Sequence, residues 1–383
     1  MVFSLARQRQ LYDPGWPPAN SGNMTDQSLP YDSLRRLCIR APNWVGDAVM
    51  ATPTLRAVRE HFPSAHITVV IRGDVEPVVR GAPWFDELLP YRLGGPGAAS
   101  EFLRCTRELR RGRRELGFAL PNSFSSALML RLGSVARRVG YARDCRSFLL
   151  TDAVPRPSEN RRFKPTYMVD FYLGLCEKVG VTARDRRTQL FSSEADAARA
   201  GEALQRQGVQ PGAELFLLHP GAGFGPSKRW PSQRFSRLAE LLQREYGAQI
   251  AVIGPPHERH MAAEIIGGSR APIADLTNCG IDLHLLKSVV ARSALLVTTD
   301  SGPRHYGVAL GIPTVCVIGP THPAYSTSTR ENDHLIRVDA GCAPCQRKVC
   351  RRDHRCMEDV TAEMALQACR RAMRGPRTGA HDD

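Results

Sequence analysis

The stretch from Arg292 to Pro323, RSALLVTTDSGPRHYGVALGIPTVCVIGPTHP, leaves the chain few folds to choose from. Two short apolar runs, Ala294 to Val297 and the β-branched Thr314 to Ile318, have the character of buried strands. A short helix fits between them: Asp300 and Ser301 can cap it, Pro303 can stand at its start, and Gly311 with Pro313 ends it. Strand, capped helix and strand make a βαβ unit. Its geometry points the helix N-terminus out of the carboxyl edge of the sheet, where free backbone N–H groups can hold an anion such as a phosphate. Asp300, Ser301, Gly302 and His305 crowd that mouth, although Asp-Ser-Gly is also an ordinary turn.

The same alternation runs through the chain. Arg36 to Arg40, HITVVI at 66–71, a weaker element around Phe85 to Leu89 and Leu116 to Leu120 read as strands, with helices expected over about 47–61, 99–115 and 167–179. The Pro- and Arg-rich passage 155–166 reads as a mobile surface loop, and the polar, alanine-rich 182–212 as containing the linker. The alternation then restarts with LFLLH ending at His219, a helix over about 232–246, and QIAVIG ending at Gly254. A length of 383 residues suits two α/β domains, each with its own core.

Charge limits the partners without choosing one. The net charge of +14 comes largely from arginine and implies an acidic partner: nucleic acid, an anionic membrane surface or a phosphorylated substrate. Six arginines lie between Arg104 and Arg114, on a helix where they can form a solvated face or meet phosphates. No recognised nucleic-acid-binding motif occurs, so nucleic acid is not expected. No run of 18 apolar residues can span a membrane, and residues 1–33 read as a loose polar leader without a signal-peptide stretch; a cytoplasmic protein is predicted.

Chemistry-bearing residues recur where strands end. Asn43 and Asp47 follow the first strand in APNWVGD, where Asp47 can cap a helix or serve as a functional carboxylate. Asn122 and Ser123 open a helix after the strand ending at Leu120. In HPGAGFGPSKRWP, the glycines at 221, 223 and 225 let backbone N–H groups approach a phosphate, and Lys228 adds a point charge. The spacing is neither GxGxxG nor a Walker motif. Glu258, at the head of the next helix, can accept ribose hydroxyls or merely complement the helix dipole. Cys342, Cys345, Cys350 and Cys356 cluster with His354; a structural zinc or a reduced loop both fit that spacing.

Five segments together, NWVGD at 43–47, PNSFSSAL at 121–128, PGAGFGPSKRWP at 220–231, TTDSGPRH at 298–305 and GPTHPAYS at 319–326, resemble glycosyltransferase family 9, and within it the heptosyltransferase II branch. Their order and spacing are similar to that family's across about residues 36–373. The resemblance implies a GT-B fold of two doubly wound, Rossmann-like α/β domains facing across a cleft. It places an acceptor-binding domain at 34–190, a nucleotide-sugar domain at 191–358 that includes the cysteines, and at 359–383 a helix returning to the first domain with a loose tail.

It also implies roles. Asp47 matches the proposed catalytic base. Lys228, with Gly223, Ser301 and Gly302, would bind the donor diphosphate, Glu258 the nucleotide ribose, and Asp300 and His305 the sugar; Asn43, Asn122 and Ser123 would face the acceptor. The reaction implied is an inverting transfer of heptose from ADP-heptose to the inner core of lipopolysaccharide. No DxD sequence occurs, so neither a metal nor another cofactor is expected. The acceptor would be an anionic, lipid-linked oligosaccharide, met by a monomer in peripheral contact with the inner face of the cytoplasmic membrane. Another nucleotide sugar or acceptor, a nucleotide-dependent oxidoreductase or epimerase, and a basic nucleic-acid binder are the alternatives.

Overall fold

The structure is a computed structural model that describes residues 34–159, 162–327 and 332–374. The leader expected over 1–33 and the tail beyond 374 lie outside the described residues. The chain from Leu34 onward is one compact unit whose described residues form two six-stranded sheets and one two-stranded piece.

The first sheet contains β1 (Arg36–Arg40), β2 (His66–Arg72), β3 (Glu87–Tyr91), β4 (Leu116–Ala119), β5 (Arg137–Tyr141) and β6 (Asp152–Val154). Their order is β3-β2-β1-β4-β5-β6, all parallel. A two-stranded antiparallel piece, β7 (Ser158–Glu159) with β8 (Arg162–Phe163), occupies part of the segment expected to be an irregular loop. The second sheet repeats the topology with β9 (Leu215–His219), β10 (Gln249–Val252), β11 (Ile273–Asp275), β12 (Leu295–Thr299), β13 (Thr314–Val317) and β14 (Asp333–Ile336), in the order β11-β10-β9-β12-β13-β14.

In each sheet the order reverses between the first and fourth strands, β1/β4 and β9/β12. At such a reversal the helices leave on opposite faces and open a crevice beyond the carboxyl ends. Register aligns those ends: Arg40 pairs with Ala119, and Thr298 with His219. The central strands are apolar on both faces and fully buried, as parallel strands covered by helices must be.

Helices α1 (Val45–Met50) and α2 (Thr52–His61) replace the single helix expected over 47–61. Pro53 is the cause: it lacks the N–H owed to the carbonyl four residues earlier, and its ring clashes there. Next come α3 (Glu76–Val79), α4 (Ala98–Arg111), α5 (Phe124–Leu132) and α6 (Met168–Glu177). The stretch read as containing the linker holds α7 (Glu194–Arg206), started by a reciprocal capping box between Ser193 and Asp196. The second sheet is covered by α8 (Ser232–Tyr246), α9 (Arg259–Gly267), α10 (Leu285–Ala291), α11 (Gly302–Ala309), the short α12 (Arg355–Glu358) and α13 (Ala362–Arg374).

The expectation that the last helix returns to the first lobe is corrected. α13 packs on α8 and strands β12 to β14. Its buried stripe, Ala365, Leu366, Ala368, Cys369 and Ala372, joins Leu238, Leu242, Val315 and Val317 in one core. One apolar stripe buries against one partner, and here the second sheet takes it. Trp230 pins the approach, donating Nε1–H to the Val360 carbonyl at 2.8 Å.

Candidate active site

The two reversal points carry most of the residues singled out in the sequence. On the second sheet, β12 delivers Asp300 into a buried position at the start of α11. Its carboxylate accepts from Lys228 Nζ at 2.6 Å, Arg304 Nη1 at 2.8 Å and Thr321 Oγ1 at 2.6 Å. Lys228 Nζ also donates to the Asp300 carbonyl at 2.9 Å. Burial raises the Asp300 carboxyl, but Lys228 and Arg304 outweigh it and hold the group well below the usual carboxylate range. Arg304 is wholly buried and pairs with Asp333 as well, so every charge in this network has an opposite neighbour.

Ser301 stands at the N-cap position of α11 but does not cap it. Its hydroxyl turns back to His219 Nδ1 at 3.1 Å and Thr298 Oγ1 at 3.2 Å. The helix start is therefore left open to an incoming acceptor group.

The glycine turn after β9 lies beside this mouth. Thr299 Oγ1 donates to the Gly221 carbonyl at 2.5 Å. Glu258 presses on the same glycine: a Cβ on Gly221 would fall 2.0 Å from Glu258 Oε2. Burial raises the Glu258 carboxyl, and burial pushes His219, 3.9 Å away, down to about 4. Gly225 has φ +154, and a Cβ there would lie 2.5 Å from the Lys348 carbonyl oxygen, so only glycine fits. Gly223 faces open space.

The cysteine segment supports this turn from behind. Ser227 N–H donates to the Lys348 carbonyl at 3.1 Å, Ser227 Oγ–H to the Arg347 carbonyl at 2.5 Å, and His354 Nε2 lies 2.7 Å from the Ser227 carbonyl. Cys342, Cys345, Cys350 and Cys356 line one small pocket, yet among the described residues no three potential ligands form a metal-holding group. Asp275 and Asp282 cap turns: Asp275 accepts from Thr277 N–H, Asp282 from Leu285 N–H.

On the first sheet, Asp47 lies in the first turn of α1, beyond the carboxyl end of β1. It keeps part of its surface exposed, and no hydrogen bond to its carboxylate occurs among the described residues. Burial pushes the carboxyl up to about 6 against the pull of Lys228, and the charge of Asp300 adds to the rise. Tyr172 of α6, buried and raised by burial, lies within electrostatic reach of Asp47. Asn43 Oδ1 accepts from Arg40 and from Tyr91 Oη at 3.2 Å. Beyond β4, Ser123 caps α5 by accepting the Ser126 N–H, and Asn122 Oδ1 lies 3.4 Å from Arg146 Nη2.

The lobes meet at this point. α1 packs on α11; a Cβ on Gly46 would lie 2.6 Å from His305 Cδ2, and one on Gly302 would lie 2.8 Å from Val45 Cγ1. His305 is buried and held down to about 3 by that burial and by Arg304. Asp47, Lys228, Asp300, Ser301, Gly302 and His305 thus gather where the lobes meet. Asn122 and Ser123 share the carboxyl edge with Asp47 through the adjacent strand, while Glu258 follows β10, the neighbour of β9 in the second sheet. Sequence reasoning missed His219, Tyr172 and Arg304 as members of this surround, although His219 and Arg304 stand inside the motifs quoted.

A family comparison decides what kind of protein builds this site. The pattern of glycosyltransferase family 9 (heptosyltransferase) matches residues 102–355. The chain belongs to glycosyltransferase family 9. Lipopolysaccharide heptosyltransferase 2 of Salmonella typhimurium is 28% identical over 345 residues, 87% of this chain and 97% of that protein. The protein of the same name from Escherichia coli K12 is 27% identical over the same shares. Among solved structures, a family 9 glycosyl transferase from Veillonella parvula superposes with a TM-score of 0.77 at 21% identity, covering 90% of this chain and 98% of that one. E. coli ADP-heptose LPS heptosyltransferase II gives 0.73 at 24% identity, over 88% and 98%. The family 9 chain is a glycosyltransferase, and the expected GT-B arrangement of two Rossmann-like sheets is borne out.

Proposed function

We propose that this family 9 glycosyltransferase moves heptose from ADP-heptose to the inner core of lipopolysaccharide, by an inverting, metal-independent displacement. The observation that carries the mechanism is the meeting of the lobes: a partly exposed aspartate on one, its carboxyl raised by burial to about 6, lies within electrostatic reach of a lysine beside an open helix start on the other. The choice of sugar and acceptor is supported by the names of the relatives.

In this reading the donor diphosphate lies over Gly223, Lys228 and the first N–H groups of α11. Lys228 is held by Asp300 before donor arrives, so its ammonium is placed without further reorganisation. Glu258 is set to accept ribose hydroxyls. Asp300 and His305 border the sugar. His305, neutral because it is buried, can exchange hydrogen bonds with hydroxyls without adding charge near a carbon that becomes positive.

The acceptor hydroxyl attacks the anomeric carbon from the face opposite the diphosphate. The new C–O bond forms as the bond to the phosphate oxygen breaks, and the hydroxyl proton passes to Asp47. A carboxylate with a pKa near 6 is ionised at neutral pH yet is a stronger base than an ordinary aspartate. Asn43, Asn122 and Ser123 would orient the acceptor on the first lobe. The basic α4 face would bring the enzyme to the anionic membrane surface that bears this acceptor.

The test is ADP release from ADP-heptose, with and without a core oligosaccharide carrying one heptose, in wild type and Asp47→Ala. Acceptor-dependent release that falls about 10²- to 10⁴-fold in the variant, with ADP affinity retained, is expected. Wild-type protein that binds ADP but releases none would remove ADP-heptose or this acceptor from the reading.

A further inference from the structure

Buried cations differ in what answers them: Arg56 and Arg114 pair with Asp185 and Glu87, whereas Lys287, fully buried in the second lobe, donates to the Arg80 carbonyl. In the second lobe Lys228 and Arg304 each touch a carboxylate. In the first lobe two arginines are just as deeply buried, Arg40 at 2% exposure and Arg146 at 0%, and neither forms an ion pair with a carboxylate among the described residues.

Arg146 has a structural explanation. Its guanidinium donates to the carbonyls of Tyr141, Pro121 and Ser123 and to Ser126 Oγ, and so it holds the turn that starts α5.

Arg40 has less. It donates to the Ala41 carbonyl, to Asn43 Oδ1 and to Tyr91 Oη, all neutral, and its Nε is buried with no partner among the described residues. Arg72 adds a second positive charge nearby. A guanidinium withdrawn from water carries a large desolvation cost unless an anion answers it.

Arg40 also lines a small pocket, with Tyr91, Arg92, Phe102, Ser125 and Met129 among the other walls. That pocket opens beyond the carboxyl ends of β1 and β3, on the same sheet edge as Asp47. Arg92 and Leu93 at its rim are exposed, so a ligand can reach it from solvent.

We propose that this pocket is an anion seat in which Arg40, with Arg92 at the rim, takes a carboxylate or phosphate of the acceptor, a role that rests on reading the first lobe as the acceptor lobe. The missing counter-charge is then supplied by substrate. The seat selects acceptors that carry an acidic group at a fixed distance from the hydroxyl attacked. Arg40 is a specificity-determining residue, and Asn43 and Tyr91 fix its guanidinium before the acceptor arrives.

The experiment measures binding of lipid-free core oligosaccharide by calorimetry, with ADP saturating the second lobe. Three forms of the oligosaccharide are compared: native, carboxyl-reduced and dephosphorylated. Each is titrated into wild type, Arg40→Gln and Arg40→Lys. Wild type should favour the native form over one of the two neutralised forms by about 10²-fold, which names the anion as carboxylate or phosphate. Arg40→Gln should lose that preference to within a few-fold, and Arg40→Lys should keep most of it. Unchanged ADP affinity reports that the variants are folded. Equal weakening of all forms in Arg40→Gln, or an undiminished preference, would overturn the seat. If wild type binds no form, the acceptor reading has failed, and equilibrium dialysis against labelled inorganic phosphate decides the seat. Arg40-dependent uptake keeps it, and its absence removes it.

Discussion

His305 on the second lobe lies against Gly46 on the first, so close that a single methyl group on Gly46 would meet the imidazole Cδ2 at 2.6 Å. This contact sets how closely α1 and α11 approach, and with them Asp47 and the Lys228–Asp300 pair. Gly46→Ala should separate the two helices. Overpacking of this kind costs about 1–3 kcal/mol, and a displacement near 1 Å at reacting groups can cost roughly 10²-fold in rate. Turnover is expected to fall at least tenfold, by the order of those figures, while ADP affinity, a property of the second lobe, changes little. Parallel rate and ADP-binding assays check this, and an unchanged rate would show that the lobes slide freely past each other.

Asp47 gives the reaction its pH dependence. Its carboxyl is held up to about 6, so kcat/KM should rise with pH through an acid limb near that value and then level. Stability should move the other way. An unfolded aspartate ionises near about 3.9, so the folded state holds this proton more tightly, and stability falls as pH climbs from there to about 6. Asp47→Asn should therefore raise the melting temperature at about pH 7.5 and bring little change at about pH 4, while abolishing the acid limb. A variant with the wild-type limb would take Asp47 out of the mechanism.

Lys228→Ala should weaken ADP binding about 10- to 100-fold, since charge-assisted hydrogen bonds contribute roughly 1.5–3 kcal/mol. Asp300 loses one of its two cationic partners and is left with Arg304, so the variant should also be less stable. Calorimetric ADP titration and thermal melts read both effects; full ADP affinity would relocate the phosphate site.

Beyond the half-buried Arg104, which pairs with Glu101, the arginine run divides into two kinds. Arg107, Arg110, Arg111 and Arg113 are exposed, whereas Arg114 lies beyond the end of α4, is buried, and pairs with Glu87 at 3.0 Å. Replacing the four exposed arginines with glutamine should weaken binding to anionic vesicles and flatten its salt dependence, by about 1 kcal/mol per charge that touches the surface. Arg114→Gln should lower the melting temperature and leave vesicle binding alone. Equal vesicle binding by the fourfold variant would reduce that face to solvation.

Much of this was legible because it is local. Short β-branched runs alternating with capped helices dictate parallel βαβ units, and the glycines at 221, 223 and 225 and the Asp-Ser-Gly at 300–302 mark turns where a backbone can meet an anion. The capping box that starts α7 was equally local but lay in a stretch whose polarity suggested a linker, and Pro53 broke a helix whose periodicity ran on.

What the sequence by itself determined is the order of the elements and the chemistry available at each strand end. Only the tertiary structure decided which of those ends face each other, because charge and burial are properties of neighbours brought together from far along the chain. Asp47 is an ordinary aspartate until α11 closes over it. Arg40 is one arginine among many until the sheet withdraws it from water with no carboxylate to answer it among the described residues, and α13 covers the second sheet because its apolar stripe fits there.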